Sequence, residues 1–164
     1  MNFLGFFKQT KGNDLKGYIA RICTSFIDVP DKISVSICFS GCSLRCKGCQ
    51  NPELWDKKSG KEESIGDVLK KVKEHPLAEY VVFLGGEPTD QMDFFIKLCD
   101  AIKKEMQIKM ALYTGREFEV LPKELIDNLN LIICGPYRQD LHVGGWPASS
   151  NQRIFRKEKG QWEC

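Results

Sequence analysis

Hydrophobic and polar residues alternate strictly over residues 33–40, with Ile33, Val35, Ile37 and Phe39 on one side and Ser34, Ser36, Cys38 and Ser40 on the other. That period of two predicts a β-strand with one small, polar face. The period then changes. Ile65, Val68, Leu69 and Val72 recur at helical spacing behind Ser64, a helix-capping residue, with Asp67 as a short capping-box partner. Residues 80–84 form an unbroken apolar run that stops at Gly85 and Gly86, the pattern of a strand covered on both faces. Phe95, Leu98, Cys99 and Ile102 predict a second helix, and residues 108–113 another strand that ends at Thr114 and Gly115. Pro122 opens a third helix through Leu125, Ile126 and Leu129, and residues 131–134 give a further strand closed by Gly135 and Pro136. Residues 18–26 read as an added edge strand, and residues 153–162 as a C-terminal strand or hairpin turning near Lys159 and Gly160.

This β, α, β, α, β, α, β succession predicts the α/β class, with a mostly parallel sheet and right-handed crossovers. Four βα steps are too few for a closed eight-stranded barrel of about 250 residues, so the expected architecture is a partial, open (β/α) barrel. No repeat or linker divides the chain, which predicts a single domain over residues 1–164 with residues 1–17 as a flexible extension. In parallel α/β sheets, ligands sit outside the carboxyl ends of the strands. Every glycine-containing break falls at such an end. Residues 42–49, 85–88, 113–115 and 135–137 are therefore expected on one rim.

Charge excludes more than it suggests. Against 24 basic residues stand 22 acidic ones, spread along the chain, so no basic stripe marks a nucleic-acid binder. No apolar run approaches the roughly 20 residues of a membrane span, and the N-terminus lacks the features of a secretory signal, so no membrane partner and a cytoplasmic location are expected. The eight cysteines matter more, because Cys38, Cys42, Cys46 and Cys49 crowd into one short stretch. In a reducing compartment such crowding signals metal more than disulfides. Cys42, Cys46 and Cys49 form C-x3-C-x2-C, and the residues alone leave four options: a disulfide, a structural zinc, a closed electron-transfer cluster, or a cluster with one iron left open. Both closed metal sites call for a fourth ligand. Cys38 is the obvious candidate, but it sits inside the first predicted strand.

The C-x3-C-x2-C loop after one strand and the Gly85, Gly86, Glu87, Pro88 turn after the next resemble the radical S-adenosylmethionine (radical SAM) enzymes. What that resemblance implies is a 4Fe-4S cluster ligated by Cys42, Cys46 and Cys49. Its free iron would chelate SAM, with Gly85, Gly86, Glu87 and Pro88 meeting the methionine amino group. Gly48, Cys49 and Gln50 correspond to the stretch that passes near adenine, although many members carry an aromatic residue where this chain has Gly48. Thr114 and Gly115 are further expected SAM contacts, and no catalytic residue is expected beyond the cluster and SAM. The combination GC-x3-C-x-GC-x-NP-x-x-W, GGEP, YTG, CGPY and SSNQRI is similar to the small activating enzymes of anaerobic (class III) ribonucleotide reductase. By that resemblance the partner is a glycyl radical protein, the anaerobic ribonucleotide reductase large subunit, and the electron donor is a flavodoxin or ferredoxin.

Rival readings stay open at this point: an activase of another glycyl radical enzyme, a small-molecule enzyme like 7-carboxy-7-deazaguanine synthase, or a non-enzymatic zinc or cluster module. Plainer readings also attach to single residues. Trp55 is expected to be a packing anchor, Cys23, Cys99 and Cys134 small buried residues, and Cys164 a frayed terminal thiol. Ser149 to Arg153 is either a ligand or partner contact or an exposed polar turn.

Overall fold

The computed structural model describes residues 15–164. Eight strands form one open sheet: β1 Lys16–Ser25, β2 Ser34–Phe39, β3 Lys61–Ser64, β4 Tyr80–Gly85, β5 Lys109–Thr114, β6 Leu131–Cys134, β7 Arg153–Glu158 and β8 Gln161–Glu163. Their order across the sheet is β3-β1-β2-β4-β5-β6-β7-β8. The four central strands β2, β4, β5 and β6 run parallel, which places the ends of all four on one rim. Antiparallel strands extend the sheet on both sides, β1 and β3 on one, β7 and β8 on the other. The expected open α/β architecture is present, with its parallel part at the centre.

Helices α1 Ile65–Lys73, α2 Met92–Glu105 and α3 Lys123–Ile126 supply the crossovers. The Ser64 hydroxyl accepts the Asp67 N–H at 3.1 Å, and Lys70, Lys71 and Lys73 occupy the last turn of α1, where the helix dipole favours cations. The apolar stripes of these helices pack on the face of the sheet that carries Val35, Ile37, Phe39, Val81 and Phe83. At its centre, Phe39 meets Phe83, Phe94 and Phe95 edge-on at 6.4, 6.3 and 5.6 Å between centroids. Phe39 is also the last residue of β2, so this aromatic cluster fixes the root of the cysteine loop.

The opposite face has its own smaller core of Tyr80, Val82, Ala111, Leu131 and Ile133, covered by Val29 from the β1–β2 connection and by Trp146 from the loop after β6. Tyr113 ties the two covers together: its hydroxyl donates to the Asp28 carbonyl and accepts from the Trp146 indole N–H. Burial pushes that phenol up to about 12, against the pull of the Trp146 donor, so it stays a protonated donor at neutral pH.

Three details depart from the sequence pattern. β3 has no apolar alternation, yet pairs Lys61–Ser64 with the start of β1, so β1 is an inner strand rather than an edge. Backbone pairing requires no apolar side chain, and none marks this strand. α3 stops after four residues instead of continuing through Leu129. Leu129 is buried by a tight turn instead, its N–H bonded to Ile126 at 3.1 Å. Of the expected extension over residues 1–17, residues 1–14 lie outside the described residues, and Lys16 and Gly17 open β1. The C-terminal hairpin turns where expected, with Lys159 and Gly160 both at positive φ, 49° and 77°, as a two-residue hairpin turn demands. Among the described residues no helix is long and apolar enough to cross a membrane.

Phe39→Ala removes the centre of the aromatic cluster and leaves a cavity at the root of the cysteine loop. The expected cost is about 3–5 kcal/mol, read as a lower midpoint of guanidinium unfolding.

Candidate metal centre at the strand-end rim

Beyond Phe39 the chain runs into a stack of backbone segments. The Gly86 N–H donates to Phe39 C=O at 2.8 Å, Glu87 N–H to Gly41 C=O at 2.9 Å, Gly41 N–H to Leu54 C=O at 2.7 Å and Cys42 N–H to Trp55 C=O at 3.1 Å. The turn after β4 thus lies against the start of the cysteine loop, and residues 54–55 lie against its other side. A Cβ on Gly86 would stand 2.3 Å from the Gly41 carbonyl oxygen, and one on Gly85 2.5 Å from that of Phe39. Both glycines are therefore required by close backbone approach within the protein itself.

The loop then curls. Arg45 and Gly48 adopt positive φ of 49° and 75°, and the Cys49 N–H donates to Cys46 C=O at 3.1 Å. A left-handed arginine is strained by roughly 1 kcal/mol or more. Its guanidinium lies over the Trp55 ring, 5.5 Å from the centroid, a contact that offsets part of this cost. The curl brings Cys42, Cys46 and Cys49 together as unpaired, half-buried thiols. Burial pushes the Cys46 thiol up, a Tyr137 backbone N–H pulls it down, and Cys42 and Cys49 push it up again. Binding of a metal here would displace thiol protons.

Cys38 stands apart. It is 2% exposed, on the sheet face opposite the helices, where burial raises its thiol and Arg21, Cys23 and Asp28 are its charged or titratable neighbours. Among the described residues no three His, Cys, Asp or Glu side chains close around a single ion.

Glu87 is 1% exposed and fully engaged. One carboxylate oxygen accepts from Thr89 N–H at 3.1 Å, Thr89 hydroxyl at 2.8 Å and Thr114 hydroxyl at 2.8 Å; the other accepts the Gly115 N–H at 2.8 Å. The carboxylate thereby joins the rim turns after β4 and β5. Gly115 is in turn covered by the cysteine loop, for a Cβ there would meet Leu44 Cδ1 at 2.3 Å. Pro88 is buried at the start of a short 3-10 turn over Pro88–Gln91. Gly48 and Gln50 are exposed, and the Gln139 side chain lies against Gly48.

Several residues that sequence reasoning missed hold this assembly. Asp90 accepts the Ser43 N–H at 2.7 Å and its hydroxyl at 3.0 Å, while Arg116 donates to Asp90 at 2.9 Å and to Ser43 at 3.1 Å. The Gln91 amide bridges Tyr18 and Ser40, where β1 and β2 reach the rim. The only available signal was position, since Asp90 and Gln91 directly follow the glycine-rich turn. The segment from Ser149 to Gln152 clamps the turn after β6: Asn151 donates to Pro136 C=O at 2.8 Å, Gln152 to Gly135 C=O at 3.3 Å, and the Ser149 hydroxyl accepts Arg138 N–H at 3.2 Å.

Two buried side-chain atoms at this rim lack a protein partner among the described residues: the Trp55 indole nitrogen and the Asn151 Oδ1. Buried polar atoms of this kind are satisfied by ordered water or by a bound group. Three thiols on one loop, near enough for Cys42 and Cys49 to act on Cys46, are the donor set of an iron-sulfur cluster.

Comparison with known proteins agrees with this chemistry. Residues 32–155 match the model of a family described as a 4Fe-4S single cluster domain. The chain is 28% identical over 132 residues to the anaerobic ribonucleoside-triphosphate reductase-activating protein of enterobacteria phage T4, covering 76% of this chain and 84% of the phage protein. It is 33% identical over 109 residues to the pyruvate formate-lyase-activating enzyme of Clostridium pasteurianum, covering 62% of this chain but only 44% of that enzyme. The crystal structure of QueE from Escherichia coli shares the fold, with a TM-score of 0.60 at 17% identity over 76% of this chain and 61% of that one.

Gly86→Ala drives a methyl group into the Gly41 backbone and must displace the cysteine loop. Iron retained after anaerobic reconstitution is expected to fall several-fold, with the far-ultraviolet circular dichroism unchanged.

Proposed function

The chain belongs to the 4Fe-4S single cluster domain family, and we infer from that membership and from its rim of thiols that it is a radical SAM activase of a glycyl radical enzyme. The single observation that carries this is the separation of Cys42, Cys46 and Cys49, which meet on one loop, from Cys38, which is buried elsewhere. Three protein thiolates on a 4Fe-4S cluster leave one iron for SAM. A cluster held by Cys42, Cys46 and Cys49 would supply, once reduced by an external donor, the one-electron chemistry that cleaves the SAM sulfonium and so permits removal of a hydrogen atom from a glycine Cα of the partner.

The chain's own task is placement. Gly85, Gly86, Glu87 and Pro88 form the turn offered to the SAM amino group, and since the Glu87 carboxylate is spent on Thr89, Thr114 and Gly115, this turn presents backbone rather than carboxylate. Thr114 and Gly115 border the same ligand, and Gly48, Cys49 and Gln50 border its adenine. The similarity to the phage protein favours anaerobic ribonucleotide reductase as the partner. A flavodoxin or ferredoxin would deliver the electron, in a cytoplasmic setting that keeps the eight cysteines reduced.

Anaerobic reconstitution should give a brown protein with close to four irons per chain that forms 5′-deoxyadenosine from SAM and reductant. Single replacement of Cys42, Cys46 or Cys49 by alanine is expected to abolish that product, and Cys38→Ala to retain it. Equal loss in all four variants would indicate a cluster closed by Cys38. Mixed with the anaerobic reductase, the wild type should generate the electron paramagnetic resonance doublet of a glycyl radical; a doublet only with a different glycyl radical enzyme would reassign the partner.

A further inference from the structure

Ser43, the residue after Cys42, is held by its backbone and its side chain together. Asp90 accepts the Ser43 N–H on one carboxylate oxygen at 2.7 Å and the Ser43 hydroxyl on the other at 3.0 Å. Arg116 closes the ring, one guanidinium nitrogen donating to the Ser43 hydroxyl oxygen at 3.1 Å and to Asp90 at 2.9 Å. The three residues come from three places: the cysteine loop, the 3-10 turn that starts at Pro88, and the position that follows Gly115. Alone among the ion pairs of the described residues, this one also hydrogen-bonds the cysteine loop.

The pair is poorly suited to holding the fold together. Its side chains are 39% exposed for Arg116 and 19% for Asp90, and ion pairs open to solvent add little to stability. Buried Glu87 already joins the turns after β4 and β5. What the pair adds is a grip on Ser43. The loop beyond it spends conformational freedom on left-handed residues at Arg45 and Gly48, which a free segment would recover.

We propose that Asp90 and Arg116 are positioning residues for the cluster: through Ser43 they fix the curl between Cys42 and Cys46 in advance of metal, and as a matched pair they cancel each other's charge beside Cys42. This rests on the cluster assignment made above. Ligands already oriented by supporting hydrogen bonds hold metal more tightly, because less freedom is lost in ordering them. Net charge around an iron-sulfur centre is also among the factors that set its reduction potential.

Asp90→Asn keeps one of two acceptor oxygens and removes the negative charge, and Arg116→Gln removes the positive one. In cluster-free protein both variants should exchange the Ser43 amide hydrogen severalfold faster than wild type, with the midpoint of guanidinium unfolding unchanged. After anaerobic reconstitution both should lose iron to a chelator severalfold faster, and Arg116→Lys, which keeps the cation, should recover part of that loss. Their midpoint potentials should move in opposite directions, upward in Asp90→Asn and downward in Arg116→Gln, whereas a purely structural role would move both the same way or neither. Ser43 exchange and iron retention at wild-type levels in both variants would overturn the inference, as would iron loss that only follows a lowered unfolding midpoint. Potentials that move together, or not at all, would overturn the charge-cancelling role. A wild-type chain that takes up no cluster would instead overturn the assignment on which the inference rests.

Discussion

A buried carboxylate governs the rim of this molecule. Removing Glu87 from water costs several kcal/mol, and four donors offset that cost, each charge-assisted bond contributing about 1.5–3 kcal/mol. Those donors come from the turns after two different strands, β4 and β5. Because each turn satisfies the same side chain, neither can move without stranding a charge. The cysteine loop inherits this rigidity through Gly41, which accepts the Glu87 N–H, and through Leu44, which lies on Gly115. Preorganisation of the thiols thus begins two strands away.

Periodicity made the central fold legible. Residues 33–40 and 80–84 had patterns that only strands explain, and the positions of Gly85, Gly86, Thr114, Gly115 and Gly135 at their ends foretold the shared rim. Hidden were the features that rest on backbone alone. β3, with Lys61, Glu62 and Glu63, offers no apolar signal, and α3 gives way to a turn that buries Leu129 without helix. At the site, the cysteine cluster was readable because Cys42, Cys46 and Cys49 stand close together in the sequence itself. The Ser43, Asp90 and Arg116 network was not, since three exposed polar types in separate segments acquire meaning only when the fold brings them together.

Glu87 and Gly115 illustrate a subtler limit. Both stand in motifs that the radical SAM resemblance ties to SAM, and both turn out to have structural duties that would account for their identity without any ligand. Glu87 links turns, and Gly115 makes room for Leu44. A motif residue can serve a ligand indirectly, by allowing the backbone around it to take the shape the ligand needs. Cys38 shows the converse, a ligand-type residue near the motif in sequence whose strand turns it toward Arg21 and away from its neighbours.

The second core, under Val29 and Trp146, fills what would be the hollow of a complete barrel. Val29 and Trp146 cap that face, and the Tyr113 hydroxyl staples the two caps to each other, so the chain plugs with its own side chains the side of the sheet that its helices leave bare.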